Sequence, residues 1–428
     1  MILGRWLAKV GQIQTLFARV DGNARIIVIT EGISAVPYQW YLTYLTLYML
    51  ALGVSEIQVG LFSGVLVAAQ VVSTFLGGYA ADRFGRKWVL VVFDILCWGV
   101  PMILYAIARN PWYFLAGRML NGFVYIVSPA FDCLFVEEVP AENRPAVFSM
   151  FQFLTAAASL LAPVAGWMVL RWGMIPAGRV IMGTTAVMMI GIPVARWFTL
   201  HETEISRARK AAVAAQPFLA VMREQFSAVG GVLRSQRLRA FLIVRTLLSF
   251  SGLMWGTYAV IYLADPKGIG LDQSLVALLP FVSSIATLAL IFIAAERMHS
   301  GAIFQNLIAG QLVWLLSALC FIFSPRGTVW PALLSTVLLA VSTALSLPAS
   351  SSYWANLIGD SERAYVFSAS SALMLLASLP AAPLAGFLYV LSPRLPFLAA
   401  VALQVLVLGV IWGMRFGKEP QSLRLDRI

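Results

Sequence analysis

Charge is what this chain has least of. Only 11% of its 428 residues are Asp, Glu, Lys or Arg, where a soluble domain carries about a quarter. Histidine occurs twice (His201, His299) and cysteine three times (Cys97, Cys133, Cys320). Three cysteines in or beside apolar runs exclude a disulfide framework. No His, Cys and carboxylate stand at metal-ligand spacing. The G-x-S-x-G, H-E-x-x-H and P-loop patterns are missing, which argues against a hydrolase, a zinc enzyme and an ATP-driven pump. Without a nucleophile, base or metal constellation, a membrane-embedded enzyme fits poorly, and no cofactor is implied.

What the chain has instead is apolar length. It is 60% hydrophobic, in repeated runs of ~20 residues, as a polytopic helical membrane protein requires. The runs are continuous rather than alternating, which excludes a β-barrel. A net charge of +11 would suggest nucleic acid in a soluble protein. Here it is read as basic loops on the cytoplasmic side of a membrane, and no nucleic-acid partner is expected.

Twelve spans are expected, at about 26–51, 57–79, 88–108, 112–136, 146–170, 178–199, 240–263, 273–295, 302–323, 328–354, 365–390 and 395–415. Residues 1–25 show Trp6, Val10, Ile13 and Phe17 at helical spacing, an amphipathic cytoplasmic segment lying on the membrane rather than a cleavable signal. A first six-helix bundle is expected over 26–200 and a second over 240–416. Between them, residues 201–239 form a basic cytoplasmic linker, in which Phe218, Met222, Phe226 and Val229 make an apolar stripe. A cytoplasmic tail, 417–428, ends the chain. With the loop around Asp82 inside, 22 of the 30 Lys and Arg lie on the cytoplasmic side. That bias puts both termini in the cytoplasm of a cell whose plasma (inner) membrane holds the protein.

The halves repeat. An offset of 214 superposes Thr43, Tyr44 and Tyr48 on Thr257, Tyr258 and Tyr262, and Ala80-Ala81-Asp82-Arg83 on Ala294-Ala295-Glu296-Arg297. An offset of 219 superposes Pro129-Ala130 on Pro348-Ala349 and Val147-Phe148-Ser149 on Val366-Phe367-Ser368. One residue later, Pro163 and Gly166 meet Pro383 and Gly386. Six spans per half give a parallel repeat about an axis along the membrane normal.

The stretch Gly78-Tyr-Ala-Ala-Asp82-Arg83-Phe-Gly85-Arg86-Lys87 is a short charged loop between two spans. It resembles the signature loop between the second and third helices of the major facilitator superfamily of secondary transporters. Arg118-Met-Leu-Asn-Gly122 looks like that family's Arg-x-x-x-Gly motif. Ala162-Pro163-Val-Ala-Gly166-Trp167 is a weaker match to the Gly-Pro-x-x-Gly-Gly end of its antiporter motif. The resemblance covers roughly residues 25–416. It implies an all-α integral membrane fold of 12 transmembrane helices in two pseudo-symmetric six-helix bundles, with spans 1, 4, 7 and 10 lining a central cavity.

Helical spacing puts Arg118, Asn121, Tyr125, Ser128 and Asp132 on one stripe of span 4, and Glu31, Ser34, Tyr38 and Tyr41 on one stripe of span 1. Span 7 offers Arg245 with Trp255 nearby, and span 10 offers Ser346. Intramembrane charges are functional candidates because each costs at least ~2.5–3.5 kcal/mol. Glu31 and Arg245 are equivalent under the repeat and are expected to meet across the pseudo-two-fold as a gate, with Asp132 nearby; the competing reading has both snorkel to headgroups. Glu31 is the first choice for proton coupling, since a carboxylate in a low-dielectric cavity can bind and release a proton. Asp132 and Asp94 are weaker candidates, and Asp94, in span 3, is read first as a brace for the basic loop at its own base. Arg118 is expected to tune those carboxylates or to hold an anionic substrate group. Tyr38, Tyr44, Trp255 and Tyr258, with Ser346, are expected against substrate; the competing reading of the aromatics is helix packing and interfacial belting. Gly78, Asp82, Arg83, Gly85, Arg86 and Lys87 are expected to latch one half to the other, with Gly78 permitting close helix contact.

The function expected is proton-coupled export of small amphipathic or drug-like compounds by a monomer, with protons and membrane lipids as its other partners. Proton-coupled uptake of a sugar or organic acid, and lysolipid flipping, are the alternatives.

Overall fold

The computed structural model describes residues 21–140, 142–213, 236–294, 303–357 and 363–415. Outside them lie the N-terminal segment up to residue 20, the stripe from Phe218 to Val229, the second loop copy at Glu296 and Arg297, and the tail 417–428. The described residues form helices and no strand.

Helices α1 (Gly22–Ala51) and α2 (Glu56–Phe84) are the first two expected spans. The third is α3 (Arg86–Asp94), a π-turn (Ile95–Gly99) and α4 (Val100–Ala106). The fourth is α5 (Pro111–Gly122), a 3-10 turn (Phe123–Ile126) and α6 (Ser128–Val136). The fifth is α7 (Arg144–Ser159) with α8 (Ala162–Trp172), and the sixth is α9 (Met174–Thr199). A short α10 (Glu204–Val213) follows. The second half runs α11 (Gln236–Ala264), a 3-10 turn (Gln273–Ala277) into α12 (Leu278–Ala294), α13 (Ile303–Ile322), α14 (Trp330–Leu357), α15 (Arg363–Ser378) with α16 (Ala381–Leu391), and α17 (Leu395–Arg415).

Among the described residues ten helices are long and apolar enough to cross a membrane, and the pair α5–α6, bent by 41°, makes an eleventh. The remaining expected span, α1, has 30 residues but carries four tyrosines, Gln39 and Glu31 among its apolar positions. Its length suits a crossing and its polarity suits an interior one.

Prolines set the breaks, because a proline offers no N–H to the carbonyl four residues back. At Pro129 the freed carbonyl is that of Tyr125, and there span 4 bends. A Cβ on Gly77 of α2 would stand against that carbonyl and 3.1 Å from the Pro129 ring. Gly77 therefore lets α2 close on the bend, whereas Gly78, the expected contact, faces open space.

The halves meet where α2 packs on α15 and α16, and where α7 and α8 pack on α12 and its leading turn. At the membrane face opposite the charged loop this seam is sealed twice, by equivalent residues. Tyr44 Oη of α1 donates to the carbonyls of Gln273 (3.2 Å) and Ser274 (3.3 Å). Tyr258 Oη of α11 donates to the Glu56 carbonyl at 2.6 Å. Each ring is fully buried, and each hydroxyl lies against a glycine: a Cβ would sit 3.4 Å from Tyr44 Oη at Gly166 and 2.6 Å from Tyr258 Oη at Gly386. Tyr44 and Tyr258, expected against substrate, are therefore clasps between the halves. Their neighbours Tyr48 and Tyr262 play a matching role within each half, donating to the carbonyls of Tyr105 (3.1 Å) and Ile322 (3.0 Å).

The core follows the same division. One buried apolar cluster runs through both halves at the clasped face, from Tyr44 and Ala165 to Tyr258 and Ala385. Toward the loop face the clusters separate, with Ile27, Leu134 and Phe135 in the first half and Leu238, Val244 and Val407 in the second. The molecule is closed at one face and divided toward the other.

Candidate functional site

A buried charge cluster lies inside the first half, toward the loop face. Arg196, three residues from the end of α9, is 1% exposed. Its Nη2 donates to Glu31 Oε1 of α1 at 2.7 Å, and its Nη1 reaches Asp94 Oδ2 of α3 at 3.4 Å. Nε and Nη2 also donate to Thr30 Oγ1, at 3.0 and 2.7 Å. Thr30 is free to accept because its own proton goes to the Ile26 carbonyl at 2.7 Å. One guanidinium thus holds three helices together through its rigid fork of donors.

These groups open onto a cavity of ≈ 350 Å³. Glu31, Asp94 and Arg196 form its polar side, with Ser34 and Gln39; Tyr38, Trp98, Phe151, Met188 and Met189 form much of the rest. Tyr38 meets Trp98 edge-on at 5.3 Å. The π-turn Ile95–Gly99 follows Asp94 directly and carries Trp98; single π-turns of this kind concentrate at functional sites. Pro101 leaves the Cys97 carbonyl without its helical donor, and Asn121 Nδ2 supplies one at 2.8 Å. Asn121 is therefore buried structure against span 3 and does not share a cavity stripe with Tyr125 and Asp132. The 41° break after Ile126 sets Asp132 apart, and the 3-10 turn Phe123–Ile126 shifts Tyr125 out of the α-helical register of Asn121.

The structure corrects the other expectations residue by residue. Glu31 is held by Arg196 instead of Arg245. Arg245 lies within electrostatic reach of Tyr125. Asp132 is exposed on α6 and has no ion pair among the described residues. Trp255 sits in an aromatic cluster, 5.0 Å from both Phe321 and Phe397 and 5.2 Å from Trp314. Ser346 packs on Gly310 beside a void of ≈ 30 Å³ between α11, α13, α14 and α17. Tyr38 lines the cavity, as expected. Arg196 is the residue that sequence reading misses: three residues from a helix end, it looks like one more basic flank.

The charged loop is bound mainly to its own half. Gly85 takes φ +97, a left-handed conformation open chiefly to glycine, and begins α3. The Glu202 carboxylate accepts the backbone N–H of Arg86 (2.7 Å) and Lys87 (3.1 Å), capping that helix where its dipole favours an anion. Arg86 pairs with Glu137, which also accepts from Thr203 Oγ1 at 2.6 Å. Lys87 Nζ lies 5.3 Å over the Trp197 ring. Lys210 of α10 reaches the Phe84 carbonyl at 3.3 Å, and Asp82 feels the charges of Arg86 and Arg209. These contacts join spans 2, 3, 4 and 6 to the linker helix, so the expected latch between halves becomes, at Arg86 and Lys87, a clamp within one. Glu202→Ala should lower stability by about 1–2 kcal/mol through loss of this cap. Thermal unfolding of the purified protein reads it, with Glu202→Gln intermediate.

Residues 27–307 match the family model described as Major Facilitator Superfamily. The chain is 30% identical over 149 residues to the "Staphyloferrin B transporter" of Staphylococcus aureus, a match over 34% of this chain and 35% of that protein. It is 28% identical over 155 residues to the "Multidrug resistance protein MdtG" of Escherichia fergusonii, over 34% and 38%. The chain thus spans little more than a third of the length of these curated relatives. The solved nucleoside transporter NupG superposes with a TM-score of 0.69 at 15% identity, over 93% of this chain and 100% of that one. At that identity the likeness is one of fold.

Proposed function

We propose that this chain, which belongs to the major facilitator superfamily, is a secondary transporter that exports small amphipathic or drug-like compounds in exchange for protons. It works by alternating access, as a monomer in the plasma membrane with both termini in the cytoplasm. The observation that carries the reading is the charge count in the cavity. Two carboxylates, Glu31 and Asp94, share one guanidinium, Arg196. With both acids ionised, the site is one positive charge short in a low-dielectric space, where an unbalanced charge is costly.

A proton on either acid restores the balance, and so does the cationic group of a bound compound. The two occupants compete, which couples their movements. Tyr38, Trp98 and Phe151, with Met188 and Met189, suit the apolar body of such a compound. The seal at the face opposite the charged loop supports loading from the loop side, the cytoplasmic side by its basic residues. The printed name of a relative, a multidrug resistance protein, supports export. The loop from Gly78 to Lys87, with Asp82, Arg83 and Gly85, keeps the first half rigid during the movement.

Proteoliposomes with an imposed pH gradient test this. They should move a cationic dye such as ethidium against the flow of protons. Asp94→Asn and Glu31→Gln should each bring gradient-driven movement down to the level of empty vesicles. Dye movement indifferent to the gradient would defeat proton exchange. Gradient-driven sugar or organic-acid uptake, with no dye movement, would favour the uptake alternative.

A further inference from the structure

A second arginine lies within the first half's spans. Arg118 of α5 has no carboxylate partner among the described residues. Its Nε is buried without a hydrogen-bond partner. So is the hydroxyl of Tyr105, whose side chain is fully buried. The two are near neighbours. The Tyr105 ring packs on Gly117, the residue before Arg118, so closely that a Cβ there would meet it, with the hydroxyl 3.0 Å away. Tyr41 stacks on Tyr105 with ring centroids 6.3 Å apart, and Tyr38 lies 5.9 Å from Tyr41. The field of Arg118 reaches all three rings.

An arginine N–H can only donate, and a tyrosine O–H donates readily. Two donor atoms, Nε of the half-buried Arg118 and the hydroxyl of the fully buried Tyr105, are enclosed without an acceptor. Native interiors rarely leave such groups unmet, and a lone cation is the costliest group to leave unmet inside a membrane. A neutral acceptor would satisfy the hydrogen bonds and leave the charge. An anion satisfies both, through the charge-assisted bonds that arginine makes best. We propose that Arg118 and Tyr105, walled by Tyr38 and Tyr41, form a binding site for a compact monoanionic group. Its source is either a free inorganic anion or the carboxylate of an organic compound. The site is separate from the Glu31–Arg196–Asp94 cluster and opposite to it in sign, and Tyr38 is the wall between them.

The test uses the full-length purified protein in lipid nanodiscs, with no pH gradient, in equilibrium dialysis against labelled chloride and, separately, labelled benzoate. Saturable binding of at least one anion is expected. Arg118→Gln should weaken it about tenfold or more, and Tyr105→Phe, which removes one hydroxyl, by several-fold. Arg118→Lys keeps the charge without the fork and should retain part of the binding. Benzoate binding that chloride does not displace identifies an organic carboxylate as the ligand. Chloride binding that benzoate does not displace identifies an inorganic anion. Either supports the site. No saturable binding of either anion, or binding unchanged in both Arg118→Gln and Tyr105→Phe, overturns it. Should Arg118→Gln fail to fold, Tyr105→Phe decides alone. Binding is read without transport, so failure of proton exchange leaves this result standing, and the reverse.

Discussion

Arg196→Met should abolish gradient-driven transport and destabilise the protein by about 3–5 kcal/mol, the cost of breaking a buried ion pair from one side. The substitution keeps a long side chain but leaves Glu31 and Asp94 facing each other with no cation between them. The figure is large because Arg196 is 1% exposed, so water does not replace the guanidinium. It also joins α1, α3 and α9 through Thr30, Glu31 and Asp94, and one change releases three helices. A triple variant, Arg196→Met with Glu31→Gln and Asp94→Asn, separates stability from function. Removing a whole buried ionic group is often nearly neutral where removing half is severe. The triple variant should therefore recover most of the lost stability in a thermal unfolding series, and recover no transport. Driven transport at the wild-type rate in Arg196→Met would remove the cluster from the coupling mechanism.

The second large effect is expected at the clasped face. A Cβ at Gly60 of α2 would stand 2.5 Å from the Ala382 carbonyl and 2.7 Å from Tyr258 Oη. Neither is a flexible side-chain end that can step aside: one is helix backbone and the other is fixed by its bond to the Glu56 carbonyl. Gly60→Val adds a branched side chain at that point and should prevent closure of the seam, while each half stays folded. Transport should fall to background, because alternating access needs both faces to close in turn. Spin labels at Ser55 and Ser392, on the ends of α2 and α16 at this face, should report a longer separation than in the parent protein. Gly60→Ala should show a weaker form of both effects. Unchanged label distances in Gly60→Val would mean that the seam tolerates the extra volume.

Much of the fold is legible in the sequence because a membrane asks a simple question of each run: whether ~20 residues can do without water. The repeat is legible for a related reason. Polar and small residues are scarce here, so Tyr44 with Tyr258 and Gly166 with Gly386 stand out against an apolar background. Their role is less legible. A tyrosine ring in an apolar run announces burial, but the carbonyl at its tip belongs to a helix more than two hundred residues away. Adjacent glycines show the same limit. Gly77 and Gly78 differ by ~100° around α2, and only the position of span 4 decides which one meets it. Glu31 is conspicuous because an acid is rare in a span. Arg196 is inconspicuous because arginines near helix ends are common, and only Thr30 and Asp94, on other helices, distinguish a buried one from one that reaches headgroups.

The single guanidinium shared by two carboxylates also has an electrical consequence. Under the proposed exchange, the cluster carries the same net charge whether its missing positive charge arrives as a proton or on a monovalent compound. One enters as the other leaves, so each turnover is electroneutral. A membrane voltage does about 2.3 kcal/mol of work per ~100 mV on each net charge carried across, and here no net charge is carried. Such a cycle draws on the difference in pH alone and is indifferent to the potential, so a cell that lets its voltage collapse while holding its pH gradient would lose none of this export.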